Sequence, residues 1–194
     1  INVHISEDSC TVSLDSSGKS LHKRGYRLET NEAPISEALA AGLILLSGWD
    51  KKSHLVDGMC GSGTFLIEAA MIASNIPANI NREYFAFQDW PDYDAELWEL
   101  IRNSQLKRAS DCYGRIIGYD VDPSVVASAK INIASAGLEE YIEVHCENFF
   151  DTHKPEGPTH LVFNPPYGVR IQGDIPELYK SIGDVLKTNY SGSE

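Results

Sequence analysis

Leu55-Val56-Asp57-Gly58-Met59-Cys60-Gly61-Ser62-Gly63-Thr64 is the stretch on which the fold turns. A short apolar strand runs into a glycine-rich turn, and Phe65 to Ala73 reads as the helix that leaves it. Glycines permit backbone conformations and close approaches that side chains would block. The helix N-terminus aims free N–H groups at whatever lies in the turn. Two readings stand for this turn, a ligand cradle and a plain βα connection, with Asp57 as a structural acid in the second. It is not the phosphate loop of an ATPase, because no Gly-Lys-Ser/Thr follows. It also fails the dinucleotide fingerprint. The glycines do not fit G-x-G-x-x-G, and the next strand-end acid, Asp120, lies far beyond the roughly 20-residue spacing of that motif.

Downstream the same unit repeats. Arg115 to Asp120 reads as a strand ending in an acid, and Asp122 caps a helix over Ser124 to Ala136 that Gly137 stops. A carboxylate beside a glycine turn is placed to accept both hydroxyls of a ribose, and Asp120 also fits a second capping acid. Tyr141 to Cys146 forms a third strand, with Glu147 to Asp151 as its exit loop. In that loop Asn148 suits the edge of an adenine and Phe149 its face, although both also suit a turn. Leu161-Val162-Phe163 is then a short buried strand, broken by Asn164-Pro165-Pro166-Tyr167. In an open α/β sheet ligands sit at the C-terminal strand edge. There an amide oxygen and a peptide carbonyl can accept both hydrogens of an exocyclic base amino group, and an aromatic ring can stack on the extruded base. Pro176 to Lys187 closes the chain as an amphipathic helix.

Upstream, Asn2 to Ser6 and Cys10 to Asp15 alternate polar and apolar residues around Glu7-Asp8-Ser9, which predicts a β-hairpin. The only basic cluster follows: Lys19, His22, Lys23, Arg24 and Arg27. It reads either as a solvated linker or as a contact for phosphates. Ala33-Pro34-Ile35-Ser36-Glu37 reads as a helix start, and the apolar run Ala38 to Leu46 as a helix buried against the sheet. Residues 74–112 form an insertion in which Phe85, Phe87, Trp90, Tyr93 and Trp98 make an aromatic belt, with a helix over Asp94 to Arg108. Strands alternating with helices predict a parallel sheet covered on both faces.

Composition narrows the class. The chain has 194 residues, 42% hydrophobic and 9% aromatic, enough for one domain with a core. No apolar run approaches the ~18 residues that span a bilayer. The four cysteines (Cys10, Cys60, Cys112, Cys146) show no metal-ligand spacing, which suggests a reducing compartment and predicts a cytoplasmic protein. The net charge of −12 is unlike a strong nucleic-acid binder. The chain opens on Ile1 and is read as a piece of a longer protein. Residues 1–30 would be a hairpin and basic linker left from an N-terminal region, and residues 31–194 a domain truncated at its C-terminus.

Together these motifs resemble the class I S-adenosylmethionine-dependent methyltransferases, in the amino-methylating group with Asn-Pro-Pro-Tyr. More narrowly, Asp57 to Thr64 resembles the Asp-Pro-Met-Cys-Gly-Ser-Gly-Thr of the THUMP-associated family. That family includes ribosomal RNA large-subunit guanine-N2 methyltransferases, often labelled adenine-specific DNA methylases. Leu21 to Arg27, Ala33-Pro34 with Glu37, and the insertion around Trp90-Pro91 carry the same resemblance. It implies a Rossmann-like fold and S-adenosyl-L-methionine as cofactor. Asp57, Gly58, Cys60, Gly61, Gly63 and Thr64 would hold the methionine part, with Ala33 and Pro34 near its tail. Asp120 would meet the ribose, Asn148 and Phe149 the adenine, with Val121 and Asn164 as further cofactor contacts. Asn164 and Pro165 would orient the target amino group and Tyr167 would stack on the base. Gly58 stands where the family has proline, a mild change in a turn, and Asn148 where the wider class has aspartate.

The implied reaction is methyl transfer to an exocyclic nitrogen, guanine N2 in 23S ribosomal RNA, with no metal and no strong general base. A THUMP-type domain before residue 1 would supply the grip on RNA. Two alternatives stay open: an adenine-N6 DNA methyltransferase, and a cofactor-binding fragment inactive without its RNA-binding domain.

Overall fold

A computed structural model describes residues 1–29, 34–166 and 175–194. It opens with β1 (Asn2–Ser6) paired antiparallel to β2 (Ser9–Ser13). The hairpin turn closes on Glu7-Asp8, with Glu7 at φ 52°, so β2 starts at Ser9 and ends at Ser13, earlier than the predicted Cys10 to Asp15. Val3 faces Val12 and Ile5 faces Cys10, and every strand residue is exposed. The hairpin therefore stands off the body of the protein.

The body follows as α1 (Glu37–Leu46), β3 (His54–Asp57), α2 (Thr64–Ala73), α3 (Ala95–Leu106), β4 (Ile116–Asp120), α4 (Pro123–Ala136), β5 (Ile142–Cys146), β6 (Thr159–Leu161) and α5 (Ile175–Thr188). The sheet order is β5-β4-β3-β6, and every pairing is parallel. Strand side chains alternate between faces. Leu55 and Ile116 point into a core shared with α1, α2 and α4, while Val56 and Ile117 meet Phe149, Tyr190, Val185 and Leu186. The predicted two-sided parallel sheet is the one observed.

Further expectations change. The apolar run of α1 is not buried all round. Ser36 caps it, its Oγ accepting from Leu39 N, and α1 packs on α2 through Ala40 and Ile44. Leu39, Leu43, Leu45 and Leu46 remain exposed. The last strand begins two residues early, at Thr159, because two buried polar residues open it. His160 Nε2 meets Ser47 Oγ at 2.9 Å, which lets an imidazole sit where an apolar pattern predicts none. Val162 N still donates to Val56 O, so Phe163 marks the departure from the sheet.

The basic segment between hairpin and α1 is a strap laid across the insertion and α2. Its arginines point inward. Arg24 Nε and Nη2 each lie 3.4 Å from the carboxylate of buried Glu68, and Tyr26 Oη donates to the same group at 3.0 Å. Burial pushes the Glu68 carboxyl above its usual range, against the opposing pull of Arg24 and the Tyr26 hydroxyl. Arg27 Nε lies 3.2 Å from Glu37 Oε1, and its Nη2 donates to Ile35 O and Thr64 Oγ1. These two residues are therefore neither solvated linker nor phosphate contacts, because a buried acid takes each of them. In the insertion, Phe85, Phe87, Tyr93 and Trp98 pack on one another, with Phe87 and Trp98 centroids 5.0 Å apart. Arg82 ties this insertion to the strap by donating to Ser17 O, Lys19 O and Ser20 O, and to Tyr84 O locally.

Among the described residues no helix is long and apolar enough to cross a membrane, and no cluster of His, Cys, Asp or Glu could hold a metal ion. Replacing Arg82 with Met strips four carbonyls of their guanidinium partner. We expect a loss of roughly 1–3 kcal/mol in urea denaturation, with new proteolytic cleavage between residues 16 and 28.

Candidate active site

A cavity of about 510 Å³ lies at the C-terminal ends of the four parallel strands. Each strand contributes a wall: Gly58 and Gly61 after β3, Asp120 and Val121 at the end of β4, Asn148 and Phe149 after β5, and Asn164 after β6. Seven predicted site residues thus meet in one space. Met59, Val125, Phe150, Pro166 and Leu178 complete it. Apart from Pro166, quoted within the Asn-Pro-Pro-Tyr break, sequence reading did not single these out, since an apolar side chain beside a turn carries no signal of what it will face.

The turn after β3 needs its glycines. Gly61 and Gly63 have φ of 54° and 83°, where L side chains are strained, and Gly63 caps α2 in that left-handed state. Gly58 is governed by space. A Cβ there would sit 2.6 Å from Phe149 Cδ2, so a side chain at 58 forces that ring aside. The proline that the resemblance leads one to expect at this position would therefore have to displace that wall of the cavity.

Asp120 holds the turn directly. Its Oδ2 accepts from Gly61 N at 3.1 Å and its Oδ1 from Asp122 N at 3.0 Å. A carboxylate oxygen has two lone pairs, so each retains one for a ligand hydroxyl. Capping and ligand contact are compatible here.

Asp57 sits beneath the turn, 1% exposed. Its Oδ1 accepts from Met59 N at 3.1 Å, while its Oδ2 is buried without a hydrogen-bond partner. Burial first, and then the negative charge of Asp120, push its carboxyl up to about 8. The nearby Met59 N–H opposes this only in part. Cys60 is buried as well, and burial followed by the charges of Asp57 and Asp120 pushes its thiol up. A thiol so placed is no nucleophile at neutral pH.

Asn148 caps the short turn Phe149–Asp151, its Oδ1 accepting from Phe150 N at 3.1 Å. That donor fixes which end of the amide is oxygen and leaves the Nδ2 end for the cavity. Phe149 is mainly a core residue, 2% exposed, wedged between Phe163 and Tyr190 with centroids at 5.3 and 5.2 Å.

The other candidates lie apart. Thr64 Oγ1 is engaged by Arg27, and Pro165 is not among the residues that line the cavity. Pro34 lines a separate groove with His22, Lys23 and Arg27. Ala33 and Tyr167 lie outside the described residues. One further contributor went unread: Asn132 on α4 bonds the carbonyl of Ser62 in the turn.

Residues 24–194 match the family UPF0020, described as RMKL-like, methyltransferase domain. The ribosomal RNA large subunit methyltransferase K/L of Desulfotalea psychrophila is 39% identical over 98% of this chain and 28% of its own length. The crystal structure of SMU.472 complexed with SAH is 40% identical, with a TM-score of 0.83, over 91% of this chain and 47% of that one. A predicted N6-adenine-specific DNA methylase from Listeria monocytogenes str. 4b F2365 gives 38% identity and a TM-score of 0.81, over 88% and 46%. The chain spans less than half the length of each of these three proteins. With a family match over nearly its whole length and a glycine turn, a strand-end acid, Asn164 and Pro166 around one cavity, the chain belongs to the RMKL-like methyltransferase domains and has their Rossmann-like fold.

Proposed function

We propose that this chain is the S-adenosylmethionine-dependent catalytic domain of an RNA methyltransferase that modifies guanine N2 in 23S ribosomal RNA. The observation that carries this reading is the single cavity walled by Gly58, Gly61, Asp120, Asn148 and Asn164. A longer protein with a THUMP-type domain would supply the RNA grip that a chain of net charge −12 lacks. Residues 1–30 would lead in from that region, and residues 31–194 would form the catalytic part. With ribosomal RNA as its substrate, the protein would act in the cytoplasm.

The residues present fit the cofactor. The buried, unpartnered Asp57 Oδ2 suits its ammonium, which would draw off the proton that burial keeps on the acid. The free lone pairs of Asp120 suit the ribose, and Asn148 Nδ2 suits a ring nitrogen of the adenine, a donor that an aspartate there would not supply. S-adenosylmethionine, when bound, supplies a methyl carbon made electrophilic by its sulfonium. Asn164 Oδ1 would accept one hydrogen of the target amino group and Pro165 O, though outside the cavity lining, would accept the other, turning its lone pair toward that carbon. The methyl group would pass to the nitrogen that Asn164 orients, S-adenosylhomocysteine would be left, and the amino proton would be lost to water. Among the described residues lining the cavity, Asp120 is the only titratable one, so alignment is what the chain contributes. Tyr167 would stack on the base, and Ala33 would lie near the methionine tail.

A second reading, adenine N6 in DNA, draws on the name of the Listeria relative. Nuclease digestion and mass spectrometry of methylated ribosomal RNA and DNA separates the two: N2-methylguanosine is expected, and N6-methyladenine in DNA would overturn the guanine assignment. Asn164→Ala is expected to lower turnover about 100-fold while calorimetric affinity for S-adenosylhomocysteine changes less than threefold. Equal losses in both would refute its role.

Asp57 also makes stability depend on pH. The unfolded carboxyl ionises near 3.8 and the folded one near 8, so between these values the folded state binds more protons. The contribution of Asp57 to stability is then full below about pH 4 and is lost as pH rises to about 8. Scanning calorimetry from pH 4.5 to 8.5 should show that fall in the wild type and a flatter profile in Asp57→Asn.

A further inference from the structure

Asn132 lies on the buried stripe of α4 with Val126, Ala129 and Ile133, and is 1% exposed. A lone amide in such a place is ordinarily a satisfied core residue. This one is satisfied in an unusual way. Its Oδ1 accepts from Leu28 N at 2.9 Å and Glu29 N at 3.0 Å, and its Nδ2 donates to Glu29 O at 3.0 Å and Ser62 O at 3.1 Å. Both lone pairs and both hydrogens of the carboxamide are used. Every partner is a backbone atom, and the partners belong to two segments far from α4 in sequence. One is the strap that leads to Pro34, and the other is the glycine turn.

The surrounding contacts make a rigid joint of this. The peptide between Ser62 and Gly63 is pinned at both ends, its carbonyl by Asn132 and its N–H by Cys60 O at 2.9 Å. A Cβ on Gly63 would lie 3.4 Å from Ala129 Cβ, so α4 abuts the turn one helical turn before Asn132. From the other side, Arg27 donates to both Thr64 Oγ1 and Ile35 O. None of Leu28, Glu29, Ser62 and Asn132 lines the cavity.

We propose that Asn132 is a positioning residue for the cofactor, clamping the glycine turn and the strap into one unit before the ligand arrives. This rests on the cavity being the S-adenosylmethionine site. Binding then meets a preorganised turn, and the entropy of ordering it is not charged against affinity. The chemical step, which depends on Asn164 and Pro165, is less sensitive.

The test uses Asn132→Asp. The carboxylate keeps the size and both acceptor functions toward Leu28 and Glu29, but cannot donate to Glu29 O or Ser62 O. We expect the calorimetric Kd for S-adenosylhomocysteine to rise about tenfold or more, and KM for S-adenosylmethionine to rise with it. The KM for RNA should hold and kcat at saturating cofactor should fall less than threefold. A folded variant with wild-type Kd overturns the proposal, as does an equal rise in both KM values. Hydrogen exchange by NMR on the wild type gives a measurement that does not depend on the variant folding. S-adenosylhomocysteine should slow exchange of the Leu28 and Glu29 amides, and unchanged rates there overturn the coupling. Failure of the folded wild type to bind S-adenosylhomocysteine would remove the cofactor reading itself, and the clamp with it.

Discussion

The turn from Gly58 to Gly63 exposes backbone to the cavity and so cannot be stiffened by its own side chains. Its shape comes from outside. Gly61 N is held by Asp120 at the end of β4, Cys60 N by Tyr119 O in the same strand, and Ser62 O by Asn132 of α4. Gly58 is in turn fitted against Phe149, beyond β5. Three elements thus converge on one short loop, and the walls of the cavity follow from where they put it. The parallel order β5-β4-β3-β6 makes this possible, because it lines up the C-terminal ends of all four strands.

Charge is distributed by the same logic of burial. The chain is strongly acidic, yet the arginines of its basic segment are spent inside, on Glu68 and Glu37. Buried carboxylates of this kind are costly without a partner, so the arginines fix the path of the strap more than they add net stability. Asp57 is the exception. It is buried with one oxygen unpartnered and holds its proton near neutrality, a state that a cationic ligand would relieve.

Much of the candidate site was legible. Gly58, Gly61, Asp120, Asn148, Phe149 and Asn164 were read from strand ends and turns, Val121 came from the family resemblance, and all of them share the cavity. Strand ends are legible because apolar runs and glycine or proline breaks are local signals. Arg24 and Arg27 were misread because a run of cations looks the same whether solvent or a buried acid faces it. The start of β6 was missed because Thr159 and His160 are polar but buried, and only Ser47, far away in sequence, accounts for the imidazole.

The sequence by itself determined the class of fold and the order in which its parts appear: alternating strands and helices, a glycine turn, a strand-end acid and an Asn-Pro-Pro break. These are set by period, backbone freedom and capping, all of which act over a few residues. Only the tertiary structure decided that Asn132 joins strap to turn, that Asp57 keeps its proton, and that one face of α1 stays uncovered. Each of these depends on which residues distant in the chain come into contact, and desolvation and hydrogen bonding at such contacts leave no trace in local pattern.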